Sequence, residues 1–225
     1  SGIIGDILSI NPDIIIDING EDYTLLGYVI RLLDMSRSQD YIRVMEKIIK
    51  KIINAVDVNV ILENEKTALE LLFDRLFPLD GDTQDLYHQI LCKSMLMNLL
   101  PTFIDNGLIV GDNNRVLFNT CIYYSTHTNV LNYLLSNGFD PNIQNIDGDT
   151  PLIMSAIYNC SYNVKLLLEH NVDPFIKNNN GENVYDIVLQ LERDYDFVNN
   201  GEYLNFCSEN GVGFLSEYLY IYMIH

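Results

Sequence analysis

Uninterrupted apolar runs in the 225-residue chain stay well short of the roughly 18 residues that a helical membrane span requires, so no such span is expected. Basic side chains are scarce: 13 Lys and Arg stand against 31 Asp and Glu, for a net charge of −18. A surface of that sign repels phosphate, which argues against nucleic acid or an anionic membrane as a partner. The imbalance is spread along the chain, with 10 basic and 18 acidic residues in 1–115 and 3 and 13 in 116–225. Cysteine is confined to Cys92, Cys121, Cys160 and Cys207, with no C-x-x-C pair. Such scattered residues, with no signal peptide ahead of them, predict reduced core thiols in an intracellular, cytoplasmic protein. Asn159-Cys160-Ser161 fits a glycosylation sequon, but nothing else points to secretion. Alanine occurs only 3 times against 27 Ile and 26 Asn, the bias of an AT-rich genome.

Catalytic signatures are also missing. There is no H-E-x-x-H, G-x-S-x-G or P-loop, and Gly211-Val212-Gly213 is only a fragment of a glycine loop. His88 and Cys92, four apart on a predicted helix, have no second ligand pair nearby in sequence, so a structural role is expected. The insertion Asp80–Asp85 lacks the carboxylate spacing and closing Glu of a calcium loop and reads as a solvated segment. The expectation is a protein that is not an enzyme and carries no cofactor and no metal.

What the chain does have is apolar mass and a repeat. Hydrophobic residues make up 48% of it, enough for a sizeable core. Leu134-Leu135-Ser136-Asn137-Gly138-Phe139-Asp140-Pro141 aligns without gaps on Leu167-Leu168-Glu169-His170-Asn171-Val172-Asp173-Pro174 at an offset of 33, which carries Gly148 onto Gly181. A thinner match at offset 83 places Asp57, Asn59, Thr67 and Leu69 on Asp140, Asn142, Thr150 and Leu152. Within the unit, Asn145–Asp149 is turn chemistry, with Gly148 free to take positive φ. Thr150 is the predicted N-cap of a first helix, with Pro151 at its first position. Leu152, Ser155 and Ala156 follow on one face, and Val164, Leu167 and Leu168 stripe a second helix. Asn171 and Gly138 occupy matching positions suited to a left-handed cap. A helix pair this short must stack on copies of itself to bury its apolar face.

Gly148-Asp149-Thr150-Pro151-Leu152, the 33-residue period, Leu167-Leu168 and Asp173 resemble the ankyrin-repeat family. The resemblance is specific over 137–183 and departs at Ile153, where the family usually has a His that ties repeats together. It implies an all-α ankyrin-repeat solenoid of about four to five irregular helix-turn-helix repeats, read as one array over 1–225. In that reading 1–18 is a partial repeat, the second helix of a truncated or irregular unit that ends near Asn11-Pro12. Repeats then occupy 19–60, 61–110, 111–143 and 144–176, and 177–225 is an irregular C-terminal repeat or cap. Helices are predicted from Thr24-Leu25-Leu26, over 41–54, from Thr67-Ala68-Leu69, around 86–100, over Val116–Tyr124 and Val130–Leu135, through 150–170 and over Asn183–Leu191. The aromatic ending Tyr218–Ile224 suits either a shield for the stack or a binding surface.

The insertions, the diverged middle repeats and the Ile/Asn-rich composition resemble the poxvirus ankyrin-repeat proteins, a group that commonly binds host defence proteins. Many of that group carry a C-terminal F-box-like segment that recruits a ubiquitin ligase, and no convincing one is found here. The resemblance implies a non-enzymatic protein-interaction module, monomeric in isolation, that binds a host protein in the host cytoplasm. The alternatives are the substrate-recruiting part of a larger ubiquitin-ligase adaptor and an intracellular bacterial ankyrin effector. In this fold the last residues of each first helix line the concave surface. By alignment these are Arg31 and Leu32, Asp74 and Arg75, Ile122 and Tyr123, Ile157 and Tyr158, and Gln190 and Leu191. Tyr and Arg are over-represented at binding hot spots, although Tyr123 and Tyr158 would equally suit packing between repeats. The turn tips Ile146, Asp147, Asn179 and Asn180 are the other candidate contacts. Arg43, Lys47, Lys50 and Lys51 are read as the wet face of a helix whose apolar side is Val44, Ile48, Ile49, Ile52 and Ile53.

Overall fold

The computed structural model describes residues 15–18, 21–61, 66–77, 86–122, 128–193 and 195–224. The acidic insertion at 78–85, Tyr123 and Tyr124 lie outside the described residues, as do the side chains of His88 and Ile122. The chain divides into two compact units, Ser1–Asn113 and Asn114–His225. Its fold class is all-α, built of ankyrin-type helix pairs, apart from one short hairpin.

That hairpin corrects the sequence reading. Residues 15–18, assigned to a partial repeat whose helix was expected to end near Asn11-Pro12, form strand β1 (Ile15–Ile18), antiparallel to β2 (Glu21–Thr24), with Ile15 opposite Thr24 and Ile18 opposite Glu21. β-Branched Ile is at home in a pleated strand, and the intervening sequence Asn19-Gly20 is the strongest short hairpin signal a sequence carries. Thr24 ends β2 and caps helix α1 (Leu25–Arg31), its Oγ1 accepting from Gly27 N at 3.1 Å. Helix α2 (Gln39–Ile53) starts at Ser38, and α3 (Ala68–Leu76) starts at Thr67. At the latter, Glu70 N donates to Thr67 Oγ1 (3.2 Å) while Thr67 N donates to Glu70 Oε2 (3.0 Å), so two end-of-helix donors are satisfied reciprocally.

In this first unit α1 packs on α3, and α2 packs on α4 (Leu86–Asp105), giving a layer of first helices and a layer of second helices. The buried stripe of α2 is Ile42, Met45, Ile49, Ile52 and Ile53, at helical spacing. Val44, expected on that side, falls between the stripe's rows and is exposed, and Ile48 is half-buried. The four basic residues of α2 face water as expected. Helix α4 outruns its predicted end near 100 and passes through Pro101. An internal proline costs about 3 kcal/mol. Leu99, Leu100 and Phe103 are fully buried around it, at roughly 1.5–3 kcal/mol each, so packing outweighs the lost hydrogen bond.

The second unit repeats the plan. A 3-10 turn (Val110–Asn113) precedes α5 (Asn114–Ile122), followed by α6 (Thr128–Ser136), α7 (Pro151–Ile157), α8 (Ser161–Glu169) and α9 (Val184–Leu191). Contacts run α5 to α7 to α9 in one layer and α6 to α8 in the other. Thr150 caps α7 with Pro151 in the first turn, and Asn183 and Asp186 form a capping box on α9. Ser155 and Ala156 are fully buried, as a close helix approach requires.

Past α9, where the repeat pattern fades, three helices follow: α10 (Tyr195–Val198), α11 (Gly201–Asn210) and α12 (Leu215–Ile224). Their order is reversed relative to a repeat, because α11 extends the second-helix layer on α8 and α12 then extends the first-helix layer on α9. Buried Tyr203 organises this cap. Its Oη donates to Glu192 Oε1 (2.6 Å) and accepts from Leu215 N (3.0 Å), while Ser216 N donates to the same Glu192 oxygen (2.9 Å). The first two amides of α12 are satisfied by these two side chains. Tyr222 Oη donates to Leu168 O (2.6 Å), so part of the aromatic ending shields the stack, while Tyr220, Ile221 and Ile224 remain exposed.

Candidate functional site

The candidate surface rests on the turns between helix pairs, and asparagine builds them. Asn145 Oδ1 accepts from Asp147 N (2.9 Å) and Asp149 N (2.8 Å). One repeat later, Asn178 Oδ1 accepts from Asn180 N (3.0 Å) and Glu182 N (3.1 Å). Aspartate does the corresponding work after the second helices: Asp57, Asp140 and Asp173 each accept, at 2.9 Å, from the amide two residues on. The offset-83 alignment of Asp57 with Asp140 thus has a shared hydrogen-bond role behind it.

Consecutive turns are then tied to one another. Gln144 Nε2 donates to Gly148 O (2.6 Å) within its own turn and to Lys177 O (3.0 Å) in the next. Asn179 donates through N to Asp147 O (3.0 Å) and through Nδ2 to Ile146 O (3.0 Å), and Asn178 Nδ2 reaches Asp149 Oδ1 (3.0 Å). Asn142 Oδ1 accepts from Asp173 N at 2.7 Å, and in the first unit Asn59 Oδ1 accepts from Ile109 N at 2.7 Å. Ile153, standing where the family has its His, is buried in the core. The polar ties between the turns of these repeats are made by Gln144, Asn142, Asn178 and Asn179. Sequence reasoning missed Gln144 and Asn178, because nothing in their spacing announces a bond to a carbonyl or carboxylate about 30 residues away.

These ties change the standing of the turn-tip candidates. Asn179 spends its backbone amide and side-chain amide on the neighbouring tip, whereas Ile146 is 92% exposed and Asp147 and Asn180 face water. Gly148 and Gly181 take φ of 78° and 79° as expected, and Asn171 holds φ 59°. The tip is therefore a rigid, hydrogen-bonded edge with one protruding apolar side chain.

At the ends of the first helices, Tyr158 is the C-cap of α7 and is 47% exposed, with Ile157 beside it at 39%. Tyr158 therefore does not pack as a buried ring between repeats. Gln190 and Leu191 end α9, Gln190 Nε2 donating to Glu182 Oε1 (2.6 Å) and Leu191 being half-buried. In the first unit, Arg31 and Leu32 are exposed, and the Arg31 guanidinium lies 5.1 Å from the centroid of the Tyr23 ring. Arg75 Nε donates to Leu33 O (2.5 Å) and Lys66 pairs with Asp74 (2.6 Å), so both side chains of that helix end are engaged within the unit. Tyr123 and the side chain of Ile122 lie outside the described residues. Two exposed apolar side chains, Phe175 and Leu189, had no part in the sequence expectation.

No disulfide joins the four cysteines, all of which are buried, and burial pushes the Cys92 and Cys121 thiols up to about 12. Among the described residues, no group of three or more His, Cys, Asp or Glu side chains is placed to hold a metal ion, and no helix is long and apolar enough to cross a membrane.

Comparison with known proteins agrees with the geometry. The family described as "Ankyrin repeats (many copies)" matches residues 134–188. An ankyrin-repeat protein of fowlpox virus is 30% identical over 156 residues, 68% of this chain and 40% of that protein. An ankyrin-repeat protein of Rickettsia felis is 29% identical over 149 residues, 53% of this chain and 66% of that protein. The chain thus spans less than two thirds of the length of either relative. Capped helix pairs at a 33-residue period, turns tied repeat to repeat, and these matches make the second unit a protein-interaction scaffold, and the chain belongs to the ankyrin-repeat family.

Proposed function

We propose that the chain is a non-enzymatic module by which a viral protein binds a host defence or signalling protein in the cytoplasm, through the first-helix ends and turn tips of the second unit. The observation that carries the reading is the pair Ile157 and Tyr158, apolar and aromatic side chains left exposed at the end of a helix in which Leu152, Ile153 and Ala156 are buried and Met154 is half-buried. Asp147 and Asn180 on the adjoining tips supply polar contacts at the rim, and Leu191 ends the next first helix of the same unit; Arg75 lies in the first unit, where it donates to Leu33 O, and is not part of this surface. A bacterial effector in a host cell is the second reading, favoured by the Rickettsia relative. Affinity capture from host cells with the wild-type chain and the double variant Ile157→Ala/Tyr158→Ala tests the site. A host protein retained by the former and lost by the latter supports it; equal retention places the site elsewhere.

A further inference from the structure

The cap contains a groove that the repeat reading does not use. It has a volume of about 410 Å³ and is lined by Tyr185 of α9, the loop residue Val212, and Glu217, Tyr220 and Ile221 of α12, with no basic side chain in its lining. That volume is at the lower end of small-ligand pockets, about 300–1,000 Å³, and suits one long side chain rather than a helix. The Tyr185 and Tyr220 rings stand 6.3 Å apart, tilted by 40°. Glu217 is held in place because its Oε2 accepts from Gly213 N at 2.7 Å, while among the described residues its Oε1 has no hydrogen-bond partner. Residues 114–225 carry 4 basic and 13 acidic side chains, so the groove opens on a strongly negative unit.

We infer that this groove binds the cationic side chain, arginine above all, of an extended segment of a partner protein. Ring faces attract a cation, and a guanidinium can lie on a tyrosine while donating to a carboxylate. Val212 and Ile221 would receive the apolar neighbours of that arginine. A neutral apolar peptide would leave the Glu217 carboxylate unanswered, and an acidic one would be repelled. The site does not depend on Ile157 and Tyr158.

The test uses the full chain and two synthetic peptides, acetyl-Gly-Ile-Arg-Ile-Gly-amide and the same peptide with citrulline, the uncharged isostere, in place of arginine. Titrations are followed by amide chemical shifts. The arginine peptide is expected to bind at least about fivefold more tightly, with shifts confined to α9, the 211–213 loop and α12. Glu217→Gln, which keeps an oxygen for Gly213 N, and Tyr220→Ala, at a 54% exposed ring, should each abolish that preference, while Tyr220→Phe should retain it. Equal affinity for the two peptides, binding by neither, shifts located elsewhere, or a preference that survives Glu217→Gln would overturn the inference. Tyr220→Phe guards against misfolding of the Ala variant, because loss of binding in both with an unchanged melting curve would also count against the ring-face contact.

Discussion

Gly148 and Gly181 hold nearly the same backbone conformation at equivalent turns, yet their replacement should differ in effect. Alanine at either position must adopt a positive φ, at about 1–2 kcal/mol. A Cβ on Gly181 meets nothing within 4 Å, so that strain is the whole effect expected of Gly181→Ala. A Cβ on Gly148 would stand 2.7 Å from both Asn179 N and Asn179 Oδ1, closer than such atoms approach. Asn179 would have to move, and it donates to Asp147 O and Ile146 O, both at 3.0 Å. Two hydrogen bonds at a net value of about 1 kcal/mol each bring the expected loss for Gly148→Ala to roughly 3–4 kcal/mol. Urea unfolding of both variants, followed by far-ultraviolet circular dichroism, gives the comparison directly. If Gly148→Ala lowers the midpoint no more than Gly181→Ala does, the contact between turns contributes nothing and the description of the tip as a rigid edge fails.

Asn171→Val places a β-branched residue at φ 59° and should destabilise by on the order of 1–2 kcal/mol, whereas Asn171→Gly should be neutral or better; equal melting curves would undo the cap assignment. Asn59→Ala removes the acceptor of Ile109 N (2.7 Å) and the donor to Gly107 O (2.9 Å), and a loss of about 1–3 kcal/mol in thermal unfolding is expected. Tyr158→Ala, at a 47% exposed ring, should leave the melting temperature almost unchanged while weakening partner binding by roughly 2 kcal/mol; a loss of folding stability as large as a core truncation would refute its placement. The native-state values of Cys92 and Cys121 are raised from 9.0 to about 12, so the native state holds those protons more tightly than the unfolded chain. Their contribution is fully present below pH 9 and is lost progressively between about pH 9 and 12, which an alkaline denaturation series of the wild type and Cys121→Ser would reveal. The same burial predicts that neither thiol reacts with a disulfide reagent at pH 8 until urea is added.

The parts of the structure that the sequence alone determined are those encoded by adjacent residues. Thr24, Thr67, Thr150 and Asn183 mark helix starts because an N-cap needs only its own side chain and an amide within three residues. Gly148, Gly138 and Asn171 mark turns because their backbone conformation is a local steric matter. The Asn19-Gly20 hairpin signal was equally local, but the long run of isoleucine around it also suits a buried helix, and only pairing with Glu21–Thr24 decided between them. Tertiary structure alone decided what depends on groups far apart in the chain. Val44 is exposed and Pro101 sits within a helix because of what packs beside them, and Gln144 reaches Lys177 O only once one turn lies against the next. The reversed order of α11 and α12 has the same origin: each helix docks where α8 or α9 leaves an apolar face to cover, and no local pattern in 192–225 records which face that is.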